Sequence, residues 1–271
     1  MPRARARLSA RRALAVTAAA ATLGATFYGV GAASAANSAP RSDKEIPNLT
    51  DVVSEIKAYY GDTVDASGEH QASPAGNYAR QVAGIEAKAE SALARATDRH
   101  SGHGAHGTHA AKPAIVLDVD DTSLLTYNYE LEVGFNYTPA SNQAYLDTKN
   151  MPPVFGMDTL ANWASAHGIT VFWITGRAES QRADTARNLT AVGYRATPDT
   201  THLYLKNTAS PPAYLPCGAT CTTIEYKSGT RAHIESLGYD IVGNFGDQYS
   251  DLSGGHADRS FKLPNPMYYL P

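Results

Sequence analysis

From residue 112 onward the chain alternates short, almost wholly apolar runs with amphipathic segments that stop at glycine, and few folds satisfy that rhythm. Ala114-Ile115-Val116-Leu117 and Ile169 to Ile174 read as strands buried on both faces. Tyr239 to Phe245 reads as a further strand and Leu203 to Leu205 as a shorter one. Between them, Asp158 to His167 closes at Gly168, Glu179 to Val192 at Gly193, and Lys227 to Leu237 at Gly238. Glycine at each of these points is a natural helix C-cap. Strands that alternate with helices imply an α/β fold, a parallel sheet flanked by helices. In such sheets ligands bind beyond the carboxyl ends of the strands. The residues that follow each apolar run are therefore the first to examine for chemistry.

The upstream third has a different texture. Residues 1–35 contain Arg3, Arg5, Arg7, Arg11 and Arg12 and no acid, then an uncharged Ala-rich run ending in Ala33-Ser34-Ala35. That order reads as a signal peptide removed on export, by the general route or, given Arg11-Arg12, the twin-arginine route. A membrane anchor is the competing reading, but a run this poor in Leu and Ile inserts weakly. No later run is long enough to span a bilayer, so no stable insertion of the mature chain is expected. Without the first 35 residues, 18 basic and 26 acidic side chains remain, about −8 in formal charge. So acidic a surface disfavours nucleic-acid polymers as partners. Residues 36–47 are polar, and Leu49 to Tyr60 and Ala75 to Ala96 carry apolar residues at helical spacing. His100, His103, His106 and His109 then recur every third residue among glycines. A metal-binding tract is one reading and a solvated linker the favoured one, because glycine disfavours fixed ligand geometry. The division expected is 1–35 signal, 36–111 helices and His-rich linker, and 112–271 core.

Asp118-Val119-Asp120-Asp121-Thr122 follows the first apolar run directly. Acids two apart in extended chain point the same way, so Asp118 and Asp120 can share a site. Carboxylates crowded at a buried strand end repel one another unless a cation sits among them. An acidic loop or an isolated calcium site is the plainer reading. Against it stands a second acidic cluster, Asp247 and Asp251, after the run that ends at Phe245. Thr175-Gly176-Arg177 follows the second apolar run, where a hydroxyl and free N–H groups suit phosphoryl oxygens. Lys227 begins the helix that leads into the last strand and could offset the carboxylates. Lys206, just after Leu205, is a rival for that role. Cys217 and Cys221 are the only cysteines. In an exported chain they form a disulfide closing a tight loop, and no nearby His supports the alternative of half a metal site.

Taken together, Asp118 and Asp120, Thr175, Lys227, and Asp247 with Asp251 resemble the four motifs of the haloacid dehalogenase (HAD) superfamily of phosphatases. Order, spacing and strand context agree over residues 114–251. The segments Tyr226-Lys227-Ser228, Gly243 to Leu252 and Phe261 to Tyr269 look like its secreted acid phosphatase branch. That branch includes plant vegetative storage proteins and bacterial class B-like and class C-like acid phosphatases. The residues from Ser123 to Tyr127 depart from its usual sequence, and the His-rich insert is foreign to it.

The resemblance implies a Rossmann-like HAD core with a small cap near residues 123–157, preceded by the N-terminal helical segment. It implies Mg²⁺ held by the Asp118 and Asp247 carboxylates and the Asp120 carbonyl, with Asp251 supporting that site from behind. Asp118 would attack phosphorus, Asp120 would serve as acid and then base, and Thr175, Gly176 and Lys227 would hold the phosphoryl group. The substrate would be a small phosphomonoester. A phosphotransferase on the same site is a second reading, and a catalytically silent storage or binding protein a third. The presence of Asp120 disfavours a dehalogenase. Tyr127, Tyr129, Phe135, Tyr137 and Tyr145 make the cap segment aromatic, suited to stacking a base or aryl group or simply to packing.

Overall fold

The computed structural model describes residues 48–102 and 111–270. The signal-peptide reading of residues 1–35, the polar stretch 36–47 and His103, His106 and His109 lie outside the described residues. The chain forms two units, Met1–Ser54 and Glu55–Pro271. Of the first, the described part is Asn48 and the opening turns of helix α1 (Leu49–Tyr60).

The second unit begins with the rest of α1 and a two-residue hairpin, β1 (Thr63–Val64) and β2 (His70–Gln71), which the sequence reading missed. The long helix α2 (Asn77–Gly102) runs six residues past its expected end at Ala96. Its buried face, Tyr78, Val82, Ala89, Leu93 and Ala96, repeats at helical spacing.

The α/β rhythm holds from here on. Strand β3 (Lys112–Leu117) is followed by α3 (Tyr127–Glu132), α4 (Pro139–Thr148) and α5 (Met157–Ala166). Strand β4 (Thr170–Ala178) leads through a tight 3₁₀ turn, Glu179–Gln181, into α6 (Arg182–Ala191). Then come β5 (Leu203–Lys206), α7 (Thr223–Ser236) and β6 (Tyr239–Gly246). The chain closes with α8 (Tyr249–Leu252) and β7 (Ser260–Lys262), neither of which was anticipated.

Strands β5-β4-β3-β6-β7 form one sheet in that order, every pair parallel. The first of these five strands in sequence, β3, lies at its centre, and chain order reverses on either side of it. That is where ligands enter an open α/β sheet. The apolar runs explain the arrangement: Ala114, Ile115, Val116 and Leu117 are at most 2% exposed, so both faces of β3 are covered. One layer beneath the sheet joins Val116, Phe172, Ile174, Tyr226, Ile234 and Ile241.

Helix α7 starts at Thr223, so Lys227 sits in its second turn and not at its start, as expected from sequence. The cause is a capping box: Thr222 Oγ1 accepts from the Glu225 N–H, and the Glu225 carboxylate accepts from the Thr222 N–H. The disulfide Cys217–Cys221 closes the loop just before it. No helix among the described residues is long and apolar enough to cross a membrane.

Candidate active site

The three central strands deliver the chemistry. Leu117 of β3 pairs with Trp173 of β4 and Phe245 of β6, so the residues after each emerge side by side. Asp118 is pinned at once, its N–H donating to the Phe245 carbonyl at 3.0 Å and its carbonyl accepting from Ser123 Oγ at 2.6 Å. Carboxylate oxygens of Asp118, Asp247 and Asp251 lie within 4.8 Å of one another, all three residues buried.

Lys227 reaches into this cluster from α7. Its Nζ donates to Asp118 Oδ1 at 2.6 Å and to Asp251 Oδ1 at 2.5 Å. Burial alone would pull its ammonium down, but the two carboxylates outweigh that and hold it above its ordinary value. The other Asp251 oxygen accepts from the Gln248 N–H at 2.8 Å. Gly246 makes room for this, because a Cβ there would collide with the Asp251 side chain.

Three carboxylates against one ammonium leave two negative charges in a buried space. Burial, followed by its acidic neighbours Asp251 and Asp121, pushes Asp247 up to about 7. Burial raises Asp118 likewise, with Lys227 pulling it back. The donor set is all oxygen and its charge deficit is that of one divalent ion, so the residues fit a hard cation such as magnesium.

Asp120 points elsewhere. Its carboxylate is gripped by Arg177, whose Nε lies 2.9 Å from Oδ2 and whose Nη2 lies 2.6 Å from Oδ1. Arg177 is buried and also donates to Thr185 Oγ1 at 3.0 Å. It is displayed by a break in the β4–β5 register between Thr175 and Ala178, which lifts Gly176 and Arg177 out of the ladder. Thr175 Oγ1 accepts the Arg177 N–H at 3.2 Å, leaving its own hydrogen to donate toward the site. Gly176 is exposed, with open space around its Cα.

The neighbours of these residues went unassigned in the sequence. Asp121 has a positive φ of 51°, held because its carboxylate accepts from Thr126 N–H, Thr126 Oγ1 and Tyr268 OH. Asp247 Oδ2 accepts from Gln248 Nε2 at 2.6 Å and Asn265 Nδ2 at 2.8 Å. The only sequence signal for these partners was the polar Asn265 and Tyr268 inside the Phe261 to Tyr269 segment. Lys206 lies at the pocket wall with its Nζ 2.9 Å from the Cys221 carbonyl, away from Asp118. A cavity of about 290 Å³ opens over the cluster, lined also by Tyr129, Glu130, Tyr137 and Asn142 from the segment between β3 and α5.

Comparison with known proteins places the chain in a family. A family model, that of the HAD superfamily, subfamily IIIB (acid phosphatase), matches residues 46–271. The chain belongs to that subfamily. Vegetative storage protein 1 of Arabidopsis thaliana is 34% identical over 58% of this chain and 55% of its own. Acid phosphatase 1 of Solanum lycopersicum is 35% identical over 57% and 58%. The chain thus spans under two thirds of the length of these relatives of the HAD subfamily. A solved class C acid phosphatase from Bacillus anthracis superposes with a TM-score of 0.58 over 82% of this chain and 86% of that one. At 21% identity it shows the HAD fold.

Proposed function

We propose that this chain is an exported, magnesium-dependent acid phosphatase that hydrolyses small phosphomonoesters through a phosphoaspartate on Asp118. The observation that carries the reading is the buried set at the end of β3, where Asp118 meets Lys227, Asp247 and Asp251 under an open cavity. Membership of an acid phosphatase subfamily supports the same reaction class.

Magnesium, held by the Asp118 and Asp247 carboxylates with the Asp120 carbonyl, would supply positive charge against the phosphoryl oxygens. Asp251 would brace that site through Lys227 and the Gln248 N–H. The remaining steps belong to the chain. An Asp118 carboxylate oxygen attacks phosphorus as the bond to the ester oxygen breaks, leaving an acyl phosphate. Asp120, protonated and freed from its ion pair with Arg177 as substrate binds, gives that proton to the departing alkoxide. Water then attacks the acyl phosphate, Asp120 takes the proton from that water, and inorganic phosphate leaves with Asp118 regenerated. Thr175, the Gly176 N–H and Lys227 orient the phosphoryl oxygens throughout. Lys227 and not Lys206 takes this part, because its ammonium alone of the two touches Asp118.

A transfer reaction would differ only in that an alcohol replaces water in the second half. A storage role without catalysis is disfavoured, because Asp118, the proposed nucleophile, is present and stands with Lys227, Asp247 and Asp251 in one buried cluster. Purified protein should release p-nitrophenol from its phosphate ester between about pH 4 and about pH 8. Release should cease with EDTA and fall at least ~10³-fold in Asp118→Asn while the thermal unfolding curve is kept. Undiminished turnover in that variant would remove Asp118 as nucleophile.

A further inference from the structure

The pocket holds a carboxylate that the reaction does not use. Glu130, on α3, is 4% exposed and lines the cavity beside Asp120. Its carboxylate has no hydrogen-bond or ion-pair partner among the described residues. The cations that share the cavity are already engaged: Lys227 by Asp118 and Asp251, Arg177 by Asp120, and Lys206 by the Cys221 carbonyl. A carboxylate that faces a cavity with no protein donor is open to a hydrogen bond or ion pair supplied by a bound molecule.

We propose that Glu130 selects the alcohol half of the substrate, favouring phosphomonoesters whose alcohol carries an ammonium or hydroxyl donor and rejecting those that carry a second anion. The inference rests on the phosphatase reading and adds the substrate class to it. Phosphate is claimed by Asp118, Thr175 and Lys227 at the floor, so the alcohol must extend into the remaining cavity, whose wall Glu130 helps to form. Five of the lining side chains are carboxylates and three are cations. Outside the cluster at the strand ends, Asp120 is paired with Arg177 and Glu130 is paired with nothing among the described residues, so the alcohol that reaches Glu130 meets an uncompensated negative charge. In a cavity whose dielectric is below that of bulk water, that charge discriminates between ligands of opposite sign.

Calorimetric binding of three matched phosphonates to the magnesium-loaded protein tests the assignment without requiring turnover. The ligands are 2-aminoethylphosphonate, propylphosphonate and 2-carboxyethylphosphonate. Burial and then Asp120 push the Glu130 carboxyl up to about 7, so titrations are run at about pH 8, where it is ionised. The wild type should bind the ammonium ligand best and the carboxylate worst, and in Glu130→Gln their affinity ratio should fall by about tenfold or more. The ratio is its own control, since general damage to the site weakens all three alike. An unchanged ratio in the variant, or a common loss for all three, overturns the role of Glu130 and leaves the phosphatase reading standing. Preference for the carboxylate ligand that disappears in Lys206→Ala would also overturn it. Failure of all three to bind, together with no hydrolysis of p-nitrophenyl phosphate, would sink both.

Discussion

Asp120 and Arg177 show how a single residue is placed for its task. The guanidinium meets both carboxylate oxygens and is itself held by Thr185, so neither side chain turns freely. A bidentate Arg–carboxylate pair fixes direction as well as charge, which the point charge of lysine cannot reproduce. Arg177 is thereby a positioning residue for the proposed acid and base. Steady-state kinetics of Arg177→Lys should show kcat down by ~10–100-fold with KM changed by less than about threefold. A KM change as large as that in kcat would instead make Arg177 a direct ligand of the phosphoryl group.

At the level of elements, the site is made by strand ends and then closed by the segment after β7. Leu263 donates its N–H to Gly246, Tyr268 its hydroxyl to Asp121, and Leu270 its N–H to Gln248 Oε1. Asn265 completes the strap by donating to Asp247. Partners that orient a ligating carboxylate commonly change metal affinity by about 10–100-fold when removed. On the proposed assignment of magnesium to Asp247, half-maximal activity of Asn265→Ala should require about tenfold or more of the ion, with kcat recovered at saturation. Titration of activity against magnesium decides it, and an unaltered curve would reduce Asn265 to a structural peg of the strap.

The behaviour of the whole molecule with pH includes a contribution from a carboxyl outside the strand-end cluster. Glu86 of α2 lies against Gly156 at the start of α5, with its Oε1 buried and unpaired. Burial, then Asp158, pushes its carboxyl from 4.5 up to about 7. Between those values the folded protein keeps a proton that the unfolded chain has lost, so this group's contribution to stability falls as pH rises. The group is half-buried, so solvent screens the effect. Thermal unfolding of Glu86→Gln should exceed wild type by ~1–3 °C at about pH 8 and by almost nothing at about pH 4.5. An equal offset at both pH values would mean that packing, not ionisation, is responsible.

Much of this was legible before any coordinates. Short apolar runs alternating with glycine-stopped helical segments read as strands covered on both faces, so the parallel sheet and the placement of Asp118 and Asp247 just past strand ends were legible, while β4 runs on through Thr175 to Ala178. The choice of Lys227 over Lys206 came from its spacing to Asp247 and the family likeness, and its side chain does reach Asp118. The short helices between β3 and α5, the edge strand β7 and the true start of α7 were not read. Short elements leave too few residues for a period to declare itself, and the Thr222–Glu225 cap is a local signal easily passed over. Pairings across large sequence distance were beyond any reading of pattern. Arg177 gripping Asp120, Asn265 gripping Asp247 and Glu130 standing unpaired in the cavity are set by where packed elements bring side chains together. The alternation of elements is written in local periodicity, and with the family likeness it names the carboxylates that follow the strands. Which side chain holds which is set by packing, because that depends on distances between residues the chain keeps far apart.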